Sequence, residues 1–112
     1  MRTPRILIVA PTSDLQRSLR FALEAERYEV VWRASIGATV MPDQFDCTIV
    51  DHHSLGENFL PARAFAEAFH PVILLANRMH TLSPFVFRTI FKPHLGPAVT
   101  AAIRDALDAR DH

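Results

Sequence analysis

Unbroken apolar runs alternate with amphipathic stretches along this chain. Arg5 to Ala10 (RILIVA), closed by Pro11, and Pro71 to Ala76 (PVILLA) carry no polar residue after their first position. That is the pattern of strands buried on both faces, which belong to parallel sheets. Between them Leu15, Leu19, Ala22 and Leu23 recur on one helical face, with Thr12 or Ser13 placed to cap and Asp14 in the first turn, so a helix reaching about Ala25 is expected. Tyr28 to Ala34 (YEVVWRA) is a second, less regular strand, nearer an edge. The segment 35–44 (SIGATVMPDQ) has a weak helical pattern of one or two turns, weakened by Gly37 and stopped by Pro42.

The third strand spans Asp46 to Val50, followed by a loop through Gly56 and a helix from about Leu60 to Phe69 that turns Ala62, Phe65, Ala66 and Phe69 inward. Pro71 to Ala76 is the fourth strand and Phe87 to Phe91 (FRTIF) the fifth. Only the ten residues Asn77 to Val86, Pro84 among them, separate these two, which leaves room for one or two helical turns. Gly96 and Pro97 open a last helix with the inward stripe Val99, Ala102, Ile103, Ala106 and Leu107, and the closing run 104–112 (RDALDARDH) reads as that helix fraying out. Five strands alternating with helices imply an α/β fold, a parallel sheet covered on both faces.

At 112 residues the chain is one domain, 1–112, able to bury a core without staples. Twelve basic and twelve acidic side chains cancel, so no global field draws in nucleic acid or an anionic membrane. The apolar runs are too short to span a bilayer, and the opening MRTPRILIV lacks the spacer and cleavage site of a signal peptide; a cytoplasmic protein is expected. The single cysteine, Cys47, has no partner for an internal disulfide and reads as a small buried hydrophobe.

The candidate chemistry lies where the third strand ends. Phe45 to Leu55 (FDCTIVDHHSL) delivers a carboxylate, Asp51, and two imidazoles, His52 and His53, at a turn. The carboxyl ends of strands in open α/β sheets are where ligands bind, so Asp51 reads as a working group, a helix cap, or half of a structural ion pair. Asp51 and His53 share a face if the strand continues through them, and His94 follows Lys92 at the end of the fifth strand, so an oxygen and nitrogen metal site is conceivable. No Cys-x-x-Cys or His-Glu-x-x-His spacing supports one, and turn histidines are the simpler reading. Ser13, Ser54 and Ser83 sit in turn contexts without a Gly-x-Ser-x-Gly elbow, and no Gly-x-Gly-x-x-Gly follows the first strand.

RILIV, RYEVVWRAS, FDCTIVD, PVILLA and FKP, in this order and approximate spacing, make the whole chain resemble the receiver domains of two-component response regulators. The resemblance implies a flavodoxin-like (CheY-like) sheet of order 2-1-3-4-5. It also implies Asp51 as the phosphoryl-accepting carboxylate and Lys92, in its pair with Pro93, as the lysine that contacts the phosphoryl oxygens. The rest of the family's pattern is broken. Its acidic pair after the first strand is replaced by Ala10 and Pro11, its hydroxyl residue ending the fourth strand by Ala76, and its aromatic switch by Thr89.

Alanine and proline offer Mg²⁺ no side-chain oxygen, and each missing contact to transition-state charge is worth a few kcal/mol. The expectation is a degenerate receiver, with no enzymatic activity and no cofactor, that works by binding a protein: a histidine kinase, another signalling protein, or a second copy of itself. A phosphorylatable receiver with a rewired Mg²⁺ site, or a small metal-binding flavodoxin-like domain, are the other readings. The fourth helix is expected to be shortened or missing, and Met79, Leu82, Phe85 and Phe87 to form an interaction surface; the alternative is that they fold back to cap the sheet.

Overall fold

The strand and helix patterns are realised in the computed structural model, which describes residues 3–36, 41–92 and 96–110. The strands are β1 (Arg5–Val9), β2 (Glu29–Arg33), β3 (Cys47–Asp51), β4 (Val72–Ala76) and β5 (Arg88–Phe91), and the helices α1 (Ser13–Ala25), α2 (Phe59–Ala68) and α3 (Gly96–Arg110). All pairings are parallel, in the order β2-β1-β3-β4-β5. The less regular second strand is indeed an edge.

Alternation within each apolar run splits it between two cores. Ile6, Ile8, Ile49, Ile73 and Leu75 face Leu19 and Leu23 of α1 and Ala102 and Ile103 of α3. On the other face Leu7, Val9, Val50 and Leu74 pack with Ala62, Phe65 and Ala66 of α2. Each central strand therefore needs apolar side chains at consecutive positions, which is why the runs are continuous. Of the helical stripes, Leu15, Ala22, Phe69 and Leu107 are only partly buried.

Local chemistry sets the element ends. Thr12 caps α1, its hydroxyl accepting from the Leu15 N–H at 3.4 Å. Beyond α1, Arg27 takes a left-handed φ of 68°, while the Tyr28 N–H donates to the Leu23 carbonyl at 3.2 Å, closing the helix in the way glycine usually does. Gly56, at φ 78°, turns the chain toward α2.

Two expectations are corrected, and a third is not reached. Pro42 opens a 3-10 turn, Pro42–Gln44, where its fixed φ suits a first helical position; the helical turns expected before it fall largely on undescribed residues. Residues 37–40 of that segment lie outside the described ones. The last helix does not fray at 104–110, because the Arg110 guanidinium donates to the Asp46 carbonyl at 2.7 Å and to Asp46 Oδ1 at 3.1 Å. Asp46 Oδ2 in turn accepts from the Arg5 N–H at 2.8 Å, which ties α3 to the start of the sheet.

The passage between β4 and β5 holds only a 3-10 turn, Ser83–Phe85, so a full fourth helix is absent there. The expected interaction surface is corrected with it. Leu82 is fully buried in the α2-side core, with Phe85 and Val86 packed beside it. Phe85 lies edge-on to Phe59, under the Arg63 guanidinium, and Phe87 packs on the opposite core. The segment folds back to cover the sheet that the missing helix would leave bare, and of the four residues only Met79 stays widely exposed.

Candidate functional site

The register brings the strand ends into one corner. Asp51 of β3 pairs with Leu75 of β4, and Ala76 pairs with Phe91 of β5, so Lys92 emerges one strand beyond β4 from Asp51. The Lys92 ammonium contacts Asp51 Oδ1 directly. Asp51 is 1% exposed and the Lys92 side chain 20%, so the pair is largely dry on the carboxylate side. The other carboxylate oxygen, Oδ2, accepts from the His53 backbone N–H and lies against His53 Nδ1, both at 3.1 Å. Asp51 is thus at once the cap of a 3-10 turn, His52–Ser54, and half of an ion pair.

The histidines reach the corner by a route other than strand alternation. β3 ends at Asp51, and the tight turn that follows brings His53 back over the carboxylate. His52 Nδ1 lies 3.1 Å from the Leu75 carbonyl, and the His52 and His53 ring centres are 3.9 Å apart with their planes tilted by 37°. Ser54 anchors the turn to the end of β2, its hydroxyl donating to the Ala34 carbonyl at 2.8 Å. His94 and Pro93 lie outside the described residues.

His80 was not picked out by sequence, since nothing in the chain between β4 and β5 marks it as near His52. Its ring centre lies 6.4 Å from that of His52, and its Nδ1 accepts from the Leu82 N–H at 3.0 Å. Burial, and then His52 nearby, hold its pKa below the ordinary histidine value. Together His52, His53, Asn77, Arg78, Met79 and His80 line an open cleft of about 490 Å³ beside the ion pair.

The Mg²⁺ that this fold's relatives would use does not fit the donors present. Ala10 and Pro11 supply no carboxylate at the end of β1. The Ala10 carbonyl already accepts from the Trp32 indole N–H at 2.9 Å, and both Asp51 oxygens are engaged by Lys92 and His53. Ala76 contributes no hydroxyl. Thr89, in place of an aromatic, sits half-buried in edge strand β5. Cys47, 1% exposed in β3, has its thiol pKa pushed up to about 12 by burial and takes no part.

Comparison with solved structures matches this architecture. The chain superposes on a CheY-like response regulator receiver domain protein from Methanospirillum hungatei JF-1 with a TM-score of 0.81 at 22% identity, covering 98% of each chain. The fold is the receiver fold. A response regulator receiver domain protein from Clostridium thermocellum gives a TM-score of 0.77 at 20% identity, over 96% of this chain and 97% of that one. A two-component response regulator from Clostridium difficile gives 0.81 at 13% identity, over 99% and 100%. No protein-family model and no curated protein matches the sequence. Among the described residues no helix is long and apolar enough to cross a membrane.

Proposed function

We propose that this chain is a degenerate receiver that signals by binding another protein, without Mg²⁺-dependent phosphorylation of Asp51. The observation that carries this reading is the direct Asp51–Lys92 ion pair at a corner whose other acidic positions are Ala10 and Pro11. In a working receiver the carboxylate must be free to attack phosphorus while a divalent ion neutralises the equatorial oxygens. Here the lysine neutralises the carboxylate itself, and phosphorylation would have to break that pair with no metal to replace it.

The partner on this reading is a signalling protein, a histidine kinase or a second copy of the chain, and it meets the exposed cleft end where Met79 stands. Sedimentation of the purified protein separates self-association from binding to a different chain. Phosphorylation itself is tested by incubating the protein with acetyl phosphate and Mg²⁺, and in parallel with beryllofluoride, followed by intact-mass analysis and fluorescence of Trp32. No mass gain and no spectral change are expected. A stable gain of one phosphoryl mass that is absent in Asp51→Asn would establish the phosphorylatable reading instead.

A further inference from the structure

The three imidazoles at the cleft do not stand in the same relation to a proton. His52 Nδ1 faces the Leu75 carbonyl and His53 Nδ1 faces Asp51 Oδ2, both at 3.1 Å. Carbonyl and carboxylate oxygens only accept, so either ring can take a second proton on Nε2 and keep its bond. His80 is the reverse case. Its Nδ1 accepts from the Leu82 N–H at 3.0 Å, which fixes the proton of its neutral ring on Nε2. A second proton can go only onto Nδ1, where it meets another donor. Turning the ring away leaves the N–H of a fully buried residue without its acceptor.

What this bond holds in shape is the cover of the sheet. The His80 N–H donates to Ser83 Oγ at 3.3 Å, the Ser83 N–H to the His80 carbonyl at 3.0 Å and the Phe85 N–H to the Leu82 carbonyl at 2.9 Å. These bonds close within residues 80–86, whose seat on the domain is the packing of Leu82, Phe85 and Val86 in the α2-side core, with the Arg63 guanidinium over Phe85. The surrounding charges give a proton on His80 no support. Arg78, His52 and His53 line the cleft with it, and among the described residues no carboxylate does. Asp51, next to the cleft, is already paired with Lys92. Burial, and then His52, hold the His80 pKa below the ordinary histidine value.

We propose that His80 is an acid-sensitive latch on the passage between β4 and β5: a proton taken up at Nδ1 breaks the bond from the Leu82 N–H and releases residues 80–86, baring Leu82, Phe85 and Val86. The closed segment keeps His80 neutral, whereas the released ring takes up a proton at about pH 6.5. Opening therefore carries a proton with it. It is independent of pH above about 6.5, rises by up to about tenfold per pH unit below that, and levels off where the closed form itself becomes protonated. The latch works whether or not Asp51 is phosphorylated.

The test is amide hydrogen exchange of the intact protein from about pH 7.5 down to about pH 5, corrected for the intrinsic exchange rate at each pH. Protection at Leu82, Phe85 and Val86 should fall by up to about tenfold per pH unit below about 6.5. At the acid end it should lie at least about tenfold below that of β1, which opens only with the whole domain. His80→Asn keeps an acceptor oxygen for the Leu82 N–H but does not titrate, so its protection should stay flat and high. His80→Ala should be flat and low. His52→Asn keeps a side-chain N–H for the Leu75 carbonyl and removes the neighbouring charge, so the levelling-off should move to higher pH. His70→Ala, at the opposite end of the sheet, should match the unaltered chain. Protection that is flat in the unaltered chain, a His80→Asn variant that follows the same pH curve, or protection of the segment equal to that of β1 throughout overturns the proposal.

Discussion

Replacing Lys92 with Met keeps an unbranched stem and deletes only the ammonium. Asp51 is left 1% exposed, with His53 as its remaining hydrogen-bond partner. At a contact distance of ~3 Å and an effective dielectric of ~20, the lost attraction is about 5 kcal/mol. Some of that is returned, because Lys92 is 20% exposed and water screens part of the pair. A loss of about 3 to 4 kcal/mol is expected, in the range for breaking a buried pair. Asp51→Ala acts differently: the lysine can swing into water, and the cost falls to a lost cap and a small void, about 1 to 2 kcal/mol. The double variant should lose little more than Asp51→Ala alone, giving a coupling energy of about 3 kcal/mol. Urea unfolding at a common m-value reads all four proteins. Losses that add to within about 0.5 kcal/mol, or a larger cost for Asp51→Ala than for Lys92→Met, would refute the assignment of the pair as structural.

The remaining predictions probe the rest of the frame. Leu82→Ala should cost about 3 kcal/mol as a core truncation, while Met79→Ala should stay within about 0.5 kcal/mol; equal effects in denaturant unfolding would contradict the observed burial. Arg110→Ala should cost about 1 kcal/mol by releasing Asp46, a modest figure because the arginine side chain is 42% exposed, and backbone hydrogen exchange at 104–110 should rise with it. The folded Cys47 thiol keeps its proton to about pH 12, whereas the unfolded thiol releases it near pH ~8.5–9. The native state therefore holds the extra proton between those values. This contribution is fully present below about pH 8.5 and is lost with rising pH, by up to ~1.4 kcal/mol per unit. Cys47→Ala should flatten that part of the stability profile, and an unchanged slope would show that the thiol is not the source.

Much of the fold was legible because the signals were redundant. Two faces of burial force continuous apolar strands such as Ile6–Ala10 and Val72–Ala76, and a helix resting on one face forces the spacing of Leu19 with Leu23 and of Val99 with Ala102 and Ile103. What failed to read were choices made by single long-range partners. Arg110 looks like any terminal arginine until α3 lays it beside Asp46, sixty-four positions away. Leu82, Phe85 and Phe87 look too apolar for a loop, and sequence alone cannot say whether the apolar surface turns outward to a partner or inward to a bare sheet. The sheet wins here because no fourth helix competes for the space.

The corner shows the same division between what spacing reveals and what geometry decides. That Asp51 and Lys92 would meet was readable, since both close strands whose neighbour relations follow from the order of the sheet. The histidines were readable as residues but not as an arrangement, because their roles depend on a turn. Had β3 continued, His53 would have projected beside Asp51 at strand spacing and His52 to the opposite face. The 3-10 turn instead puts both rings on the carboxylate's side, one anchored to Asp51 and the other to Leu75 of β4. A buried carboxylate at the end of a central strand must be neutralised by something. With Ala10 and Pro11 beside it and no fitting metal donors, the surviving solution is a lysine on one oxygen and a capped turn on the other. The turn that Asp51 caps thereby holds one imidazole against the carboxylate and the other against the Leu75 carbonyl.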